Sequence, residues 1–120
     1  MPSVETYDAL AVITGILEGQ TWYGSWATGT SEATRSAHAL DSEATENRQV
    51  CSLTQTTISV PGDTLEISYT MTCNATAKTI RQAGVLTLSA AGVLLFLSSF
   101  PGEAVVDTNS ITFKFRYRLK

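Results

Sequence analysis

Histidine occurs once in this chain, at His38, and that scarcity removes two classes of chemistry. There is no second imidazole to complete a His-pair metal site or a histidine relay, and His38 reads as an exposed residue of a polar loop. Cysteine is nearly as rare: Cys51 and Cys73 lie too far apart for the short spacing of a zinc or redox motif. No run of glycines forms a phosphate cradle; Gly15, Gly19, Gly24, Gly29, Gly84 and Gly92 fall at turns. Asp41, Glu43 and Glu46 crowd one hydroxyl-rich segment and read as solvated loop carboxylates rather than an acid/base pair. The expectation is a protein that is not an enzyme and holds no metal or cofactor.

Charge is scarce as well. Charged residues make up 16% of the chain, below the usual figure of about 25%, so its polar faces must rely on Ser and Thr. The net charge of −3 argues against a general nucleic-acid binder, because phosphate affinity needs a cationic field over much of one surface. No uninterrupted apolar stretch reaches membrane-spanning length: AGVLTLSAAGVLLFLSSF at 83–100 carries Thr87, Ser89, Ser98 and Ser99 and is broken by SAAG, which fits two strands and a turn. The opening MPSVETYDAL has acids where a secretory leader needs cations, so the expectation is cytoplasmic synthesis without export and no membrane association.

At 120 residues, the chain has the length of a single domain spanning 1–120. Residues 3–18 place Val4, Tyr7, Leu10, Ala11, Ile13 and Leu17 near a helical stripe, with Ser3 as the cap and Gly19 as the stop. Gly15 and the β-branched Val12, Ile13 and Thr14 weaken the second half of that helix. Trp22 and Trp26 then share one face of a strand, and Trp22, Tyr23 and Trp26 form the densest aromatic group, suited to a core, a protein contact or a stacked ligand. A loop follows over 27–47 with Leu40 as its one large apolar residue; loops of that length are functional or held by a partner.

From Arg48 onward the pattern is that of strands. Taking PGDT at 61–64 as a hairpin turn pairs Val60 with Leu65 and Ile58 with Ile67. A one-residue bulge then brings Leu53 opposite Met71 and Cys51 opposite Cys73. The two thiols have three readings: reduced core residues, a cross-strand disulfide formed after release from the cell, or a redox switch. Residues 79–89 and 92–100 read as two strands covered on both faces. The chain ends in ITFKFRYRLK, where Ile111, Phe113, Phe115, Tyr117 and Leu119 alternate with Thr112 and the cations Lys114, Arg116, Arg118 and Lys120. The apolar set is expected in the core. The cations are expected either to guard a sheet edge or to meet an acidic partner surface. The predicted fold is all-β: an antiparallel, jelly-roll-like sandwich with one short N-terminal helix.

The order of these segments resembles a family of small structural proteins of tailed bacteriophages. The resemblance runs through YDALAVITGIL, WYGSWATGTSEAT at 22–34, AHALDSEATENR at 37–48, the hairpin SLTQTTISVPGDTLEISYTMT, TIRQAGVLTL at 79–88 and DTNSITFKFRYRL. It implies a virion component on a β-sandwich, with no catalytic residue. The leading expectation is a capsid decoration (cement) protein on the outside of the head, with the major capsid protein or other virion proteins as partners and a homo-oligomer, a trimer, as its own state. A collar, tail or fibre-attachment protein is the alternative, and a carbohydrate-binding sandwich using Trp22, Tyr23 and Trp26 is a more distant one. The two cysteines and the basic terminal strand lie outside the family pattern, so any role for them belongs to this protein.

Overall fold

A computed structural model describes residues 6–118 of the chain. One helix, α1 (Tyr7–Glu18), precedes seven strands: β1 (Tyr23–Ala27), β2 (Gln49–Val50), β3 (Ser52–Thr56), β4 (Thr64–Thr72), β5 (Lys78–Leu86), β6 (Leu94–Val105) and β7 (Ser110–Arg118). The strands form two sheets, ordered β2-β1-β5-β6 and β3-β4-β7, so the fold is an all-β sandwich with one short helix. Ser3, Val4, Leu119 and Lys120 lie outside the described residues. The contacts divide the chain into two units. One holds α1, β3, β4 up to Ser68 and β7 from Lys114; the other holds β1, β2, β5, β6 and the remaining halves of β4 and β7.

In the first unit the helix begins at Thr6, whose hydroxyl accepts the Ala9 N–H at 3.2 Å, and it runs unbroken to Gly19. Ser3 is therefore not the cap, and the β-branched second half does not unravel. A tertiary tie explains this. Thr14, fully buried, donates its hydroxyl to the carbonyl of Gly62 at 2.6 Å, while Gln55 donates its amide to the Ala11 carbonyl and to the Thr14 hydroxyl. Glu18 accepts the Gln55 backbone N–H at 2.7 Å. The inward face of α1 is thus Leu10 and Thr14 with Ala11 and Leu17 half-buried beside them, so of the expected stripe Leu10, Ala11 and Leu17 turn inward while Tyr7 and Ile13 are exposed.

The β3–β4 hairpin differs from the expected register. Thr56 faces Thr64, Leu53 faces Ile67 and Ser52 faces Ser68, leaving residues 57–63 as a wide loop without a bulge in the ladder. Asp63 causes this. Its carboxylate, buried at the mouth of β4, accepts the backbone N–H groups of Ile58, Ser59 and Val60 and the Thr64 hydroxyl, and so closes the loop on itself. Residues that a tight turn would place in the ladder are spent on an Asx-type loop.

In the second unit the two sheets pack face to face. Trp26, fully buried, meets Phe113 edge-on with ring centroids 6.4 Å apart, and Tyr69 stacks beside Phe113 at 5.3 Å. The Tyr69 hydroxyl donates to the carbonyls of Ser25 and Gly84, so its polar tip is satisfied inside the core. Gly24 lets the ring lie on the β1 backbone: a Cβ there would stand 2.2 Å from Tyr69. The outer face of β1 and β5 is covered too. Residues 28–48 fold over it, burying Leu40 against Ala27 and Leu86, with Leu94 and Leu97 at the rim. Buried Gln82 accepts the Asp41 N–H and donates to the Ser31 carbonyl. This long loop, expected to be functional or held by a partner, is held by the chain's own side chains and serves as a third layer.

That layer explains why β5 is buried almost throughout. The expectation of two-sided cover fails for β6, which is the last strand of its sheet and keeps much of its length exposed. A bulge interrupts its pairing between Ile80 and Gln82, opposite Pro101 and Gly102, where Gly102 takes a φ of +130 that favours glycine. Proline is tolerated there because an edge strand at a bulge needs no donor.

Candidate protein-binding surface

The basic terminal strand finds acidic partners within its own unit. Arg116 lies 3.2 Å from the Glu66 carboxylate and Lys114 at 4.0 Å from the same group. Arg118 reaches Asp63 at 3.6 Å and also donates to the Ser59 hydroxyl. The alternation on β7 is as expected, with Ile111, Phe113 and Phe115 half-buried, but Tyr117 is exposed and corrects the core assignment there. With three cations facing two carboxylates, the strand presents no clean cationic stripe. Lys120 lies outside the described residues.

The aromatic group divides. Trp26 is fully buried and Trp22 nearly so, packed against Phe96 at 6.1 Å, so of the readings core, protein contact and stacked ligand these two take the first, against their candidacy as interface residues; Tyr23 alone is half-exposed. The Trp26 indole donates to Glu46 at 2.9 Å. The same carboxylate accepts the Asn74 backbone N–H and the ammonium of Lys78. Burial works against ionisation of Glu46, yet these three donors prevail and hold its pKa at about 2. Glu43 is likewise no free loop acid: Arg48 grips it through Nε and Nη2, and Ser25 adds a third donor, lowering its pKa. Arg48 also caps the carbonyls of Leu88 and Ala91, pinning the β5–β6 turn. Asp41 accepts the hydroxyl and backbone N–H of Ser31. The solvated-carboxylate expectation is corrected for Glu46, which is buried, whereas Asp41 and Glu43 keep contact with solvent and still act as clamps on the 28–48 layer.

The cysteines are both free and buried. The observed register carries Cys51 away from Cys73 and toward Tyr69, so the expected cross-strand pairing does not arise. Burial pushes the Cys51 thiol up to about 12, and the Cys73 thiol donates to the Thr76 carbonyl at 3.2 Å. His38 is exposed, as expected. Among the described residues no cluster of His, Cys, Asp or Glu has the makings of a metal site, and no helix is long and apolar enough to cross a membrane.

What the residue-by-residue reading missed is the solvent side of α1. Ala9, Val12, Ile13 and Ile16 stand three and four apart and so form one face, with Val12 61% and Ile16 62% exposed. No charged residue falls between Asp8 and Glu18. The helix is apolar on both sides: one side is tied to Gly62 and Gln55, and the other meets water. The spacing is readable in the sequence, but nothing local says which of two apolar faces turns inward. No protein-family model matches this chain, and no curated protein matches it either.

Proposed function

We propose that this chain is a non-enzymatic structural protein that attaches in many copies to a larger protein shell, in the manner of a capsid decoration protein of a tailed bacteriophage. The observation that carries this reading is the uncharged face of exposed Val12, Ile13 and Ile16, with half-buried Ala9 at its end, on a helix that is stapled to the fold by Thr14 and Gln55. Exposed apolar faces rimmed by polar residues mark contact sites. A single helix of 12 residues, about 18 Å long, offers far less than the roughly 800 Å² per partner of a stable pairwise interface. A contact of that size holds through repetition on a symmetric lattice. The proposed partner is accordingly the outer surface of the major capsid protein. The phage assignment rests on the sequence resemblance, and the attachment mode on α1.

The test mixes purified protein with empty phage heads, washes them and counts retained copies. Retention near one copy per capsid subunit or per three-fold axis supports the proposal. Val12→Asp with Ile16→Asp should abolish retention without lowering the melting temperature, since both side chains already face water. A handful of copies per particle favours a collar or tail position instead, and full retention by the double variant removes α1 from the contact.

A further inference from the structure

A second docking site, independent of α1, lies on the outer side of the four-stranded sheet. The segment 29–37 runs alongside β6 and leaves two hollows between them. One, of about 440 Å³, is lined by Ala33, Thr34, Arg35 and Ala37 on one bank and by Leu94 to Leu97 on the other. The next, of about 390 Å³, continues the groove past Ser99, Phe100 and Pro101. Between them the banks are joined by a hydrogen bond from the Ala33 N–H to the Ser99 hydroxyl, 3.0 Å long.

Three features of the first hollow define its occupant. Its floor is apolar: Leu94 and Leu97 are half-buried against Leu40 and Leu86, so an added apolar side chain would extend a core that already exists. Its one charged lining residue is Arg35, exposed and with no hydrogen bond or ion pair among the described residues. Its far bank is a sheet edge. Among the described residues β6 has no strand beyond it in the sheet, and from Leu94 to Phe100 it carries no charge. Exposed edges are normally blunted by charge. β7, with Lys114, Arg116 and Arg118, is blunted in this way, and the first half of β6 is not. An edge left open beside an apolar floor is the arrangement used for strand addition, where main-chain bonds supply affinity and alternate side chains supply specificity.

We infer that the groove between residues 33–37 and β6 takes an extended segment of a partner protein, with an apolar side chain on Leu94 and Leu97 and a neighbouring carboxylate on Arg35. The carboxylate is demanded by charge complementarity, because any cation on that segment would meet the guanidinium. A second copy of this chain is a poor fit for the role, since its own β6 comes with a 33–37 segment already alongside it.

The test uses two fluorescein-labelled peptides, Gly-Val-Leu-Val-Glu-Gly and the same sequence with Lys in place of Glu, titrated by fluorescence anisotropy. The full-length protein should bind the acidic peptide at least tenfold more tightly, and its amide resonances at Leu94 to Leu97 should move on binding. Arg35→Glu, an exposed loop change that leaves the melting temperature intact, should reverse the preference. Ala37→Trp, which fills the hollow, should remove binding of both peptides. Equal affinity for the two peptides, no binding, or a preference unchanged by Arg35→Glu overturns the inference. So does self-association without peptide that Arg35→Glu abolishes, which would give the groove to a second copy. None of these outcomes depends on whether α1 binds a capsid.

Discussion

Glu46 is the residue on which most converges: an indole, a backbone amide and an ammonium all point at one carboxylate. Its pKa in the folded chain, about 2 against 4.5 for the free group, is depressed, so its stabilisation is fully present above pH 4.5 and is lost as the pH falls toward 2. By linkage the loss is about 3 kcal/mol at full protonation, as an order of magnitude. Thermal unfolding followed from pH 6 to pH 2 should show a falling melting temperature across that window. Glu46→Gln should lower stability at neutral pH by about 2 kcal/mol, because Lys78 loses its counter-charge, and should flatten the acid limb; an unchanged acid limb would remove Glu46 as its source. Cys51 gives a second residue-level expectation. With its thiol buried and its pKa raised to about 12, both cysteines should resist iodoacetamide in the native protein at pH 8 and react rapidly in denaturant, as read by mass spectrometry. A Cys51–Cys73 disulfide in the purified protein would contradict the observed register.

Among the elements, α1 and the β3–β4 hairpin show how far a pattern can be read. The alternation Leu65, Ile67, Tyr69, Met71 was legible because a strand's two faces follow from a period of two, and all four side chains are buried. The register of its partner strand was not, because Asp63 gathers three backbone amides into a wide loop and a turn motif such as PGDT carries no trace of that. The cations of β7 were legible as one face, but their partner Glu66 is remote in sequence and emerges only from the pairing. In α1, two apolar faces competed, and a buried threonine decided between them. Thr14→Val should therefore cost about 1–3 kcal/mol in urea unfolding, since the Gly62 carbonyl and the Gln55 amide each lose a partner despite the near-equal volume. Ile13→Thr, on the opposite side, should leave the unfolding free energy within about 0.5 kcal/mol of the parent.

For the whole molecule, composition indicated the class: few charges, many hydroxyls and short alternating segments suit a sandwich, and two antiparallel sheets are what forms. The layer over the outer face of β1 and β5 was not legible. It has one apolar anchor, Leu40, and is otherwise held by Asp41, Glu43, Arg48 and Gln82 through polar bonds that leave no periodic signal. The candidate site had the same difficulty in reverse. Aromatic and basic residues attract attention in a sequence, yet here Trp22 and Trp26 are core and the cations are largely paired, while the available surface is made of Ala, Val and Ile.

The order in which the strands meet has a consequence for synthesis. β1 is made early, but its main partner is β5, whose Leu86 lies opposite Tyr23 and whose Gln82 lies opposite Ala27. Until β5 has left the ribosome, Trp26 lacks the strand it lies against and Leu40 has no Leu86 to cover. Pairings so distant along the chain are slow to close and leave apolar surface open to misassociation meanwhile. The burial of Trp26 is therefore a late event in the life of each molecule, and its fluorescence would report completion of the sandwich rather than its beginning.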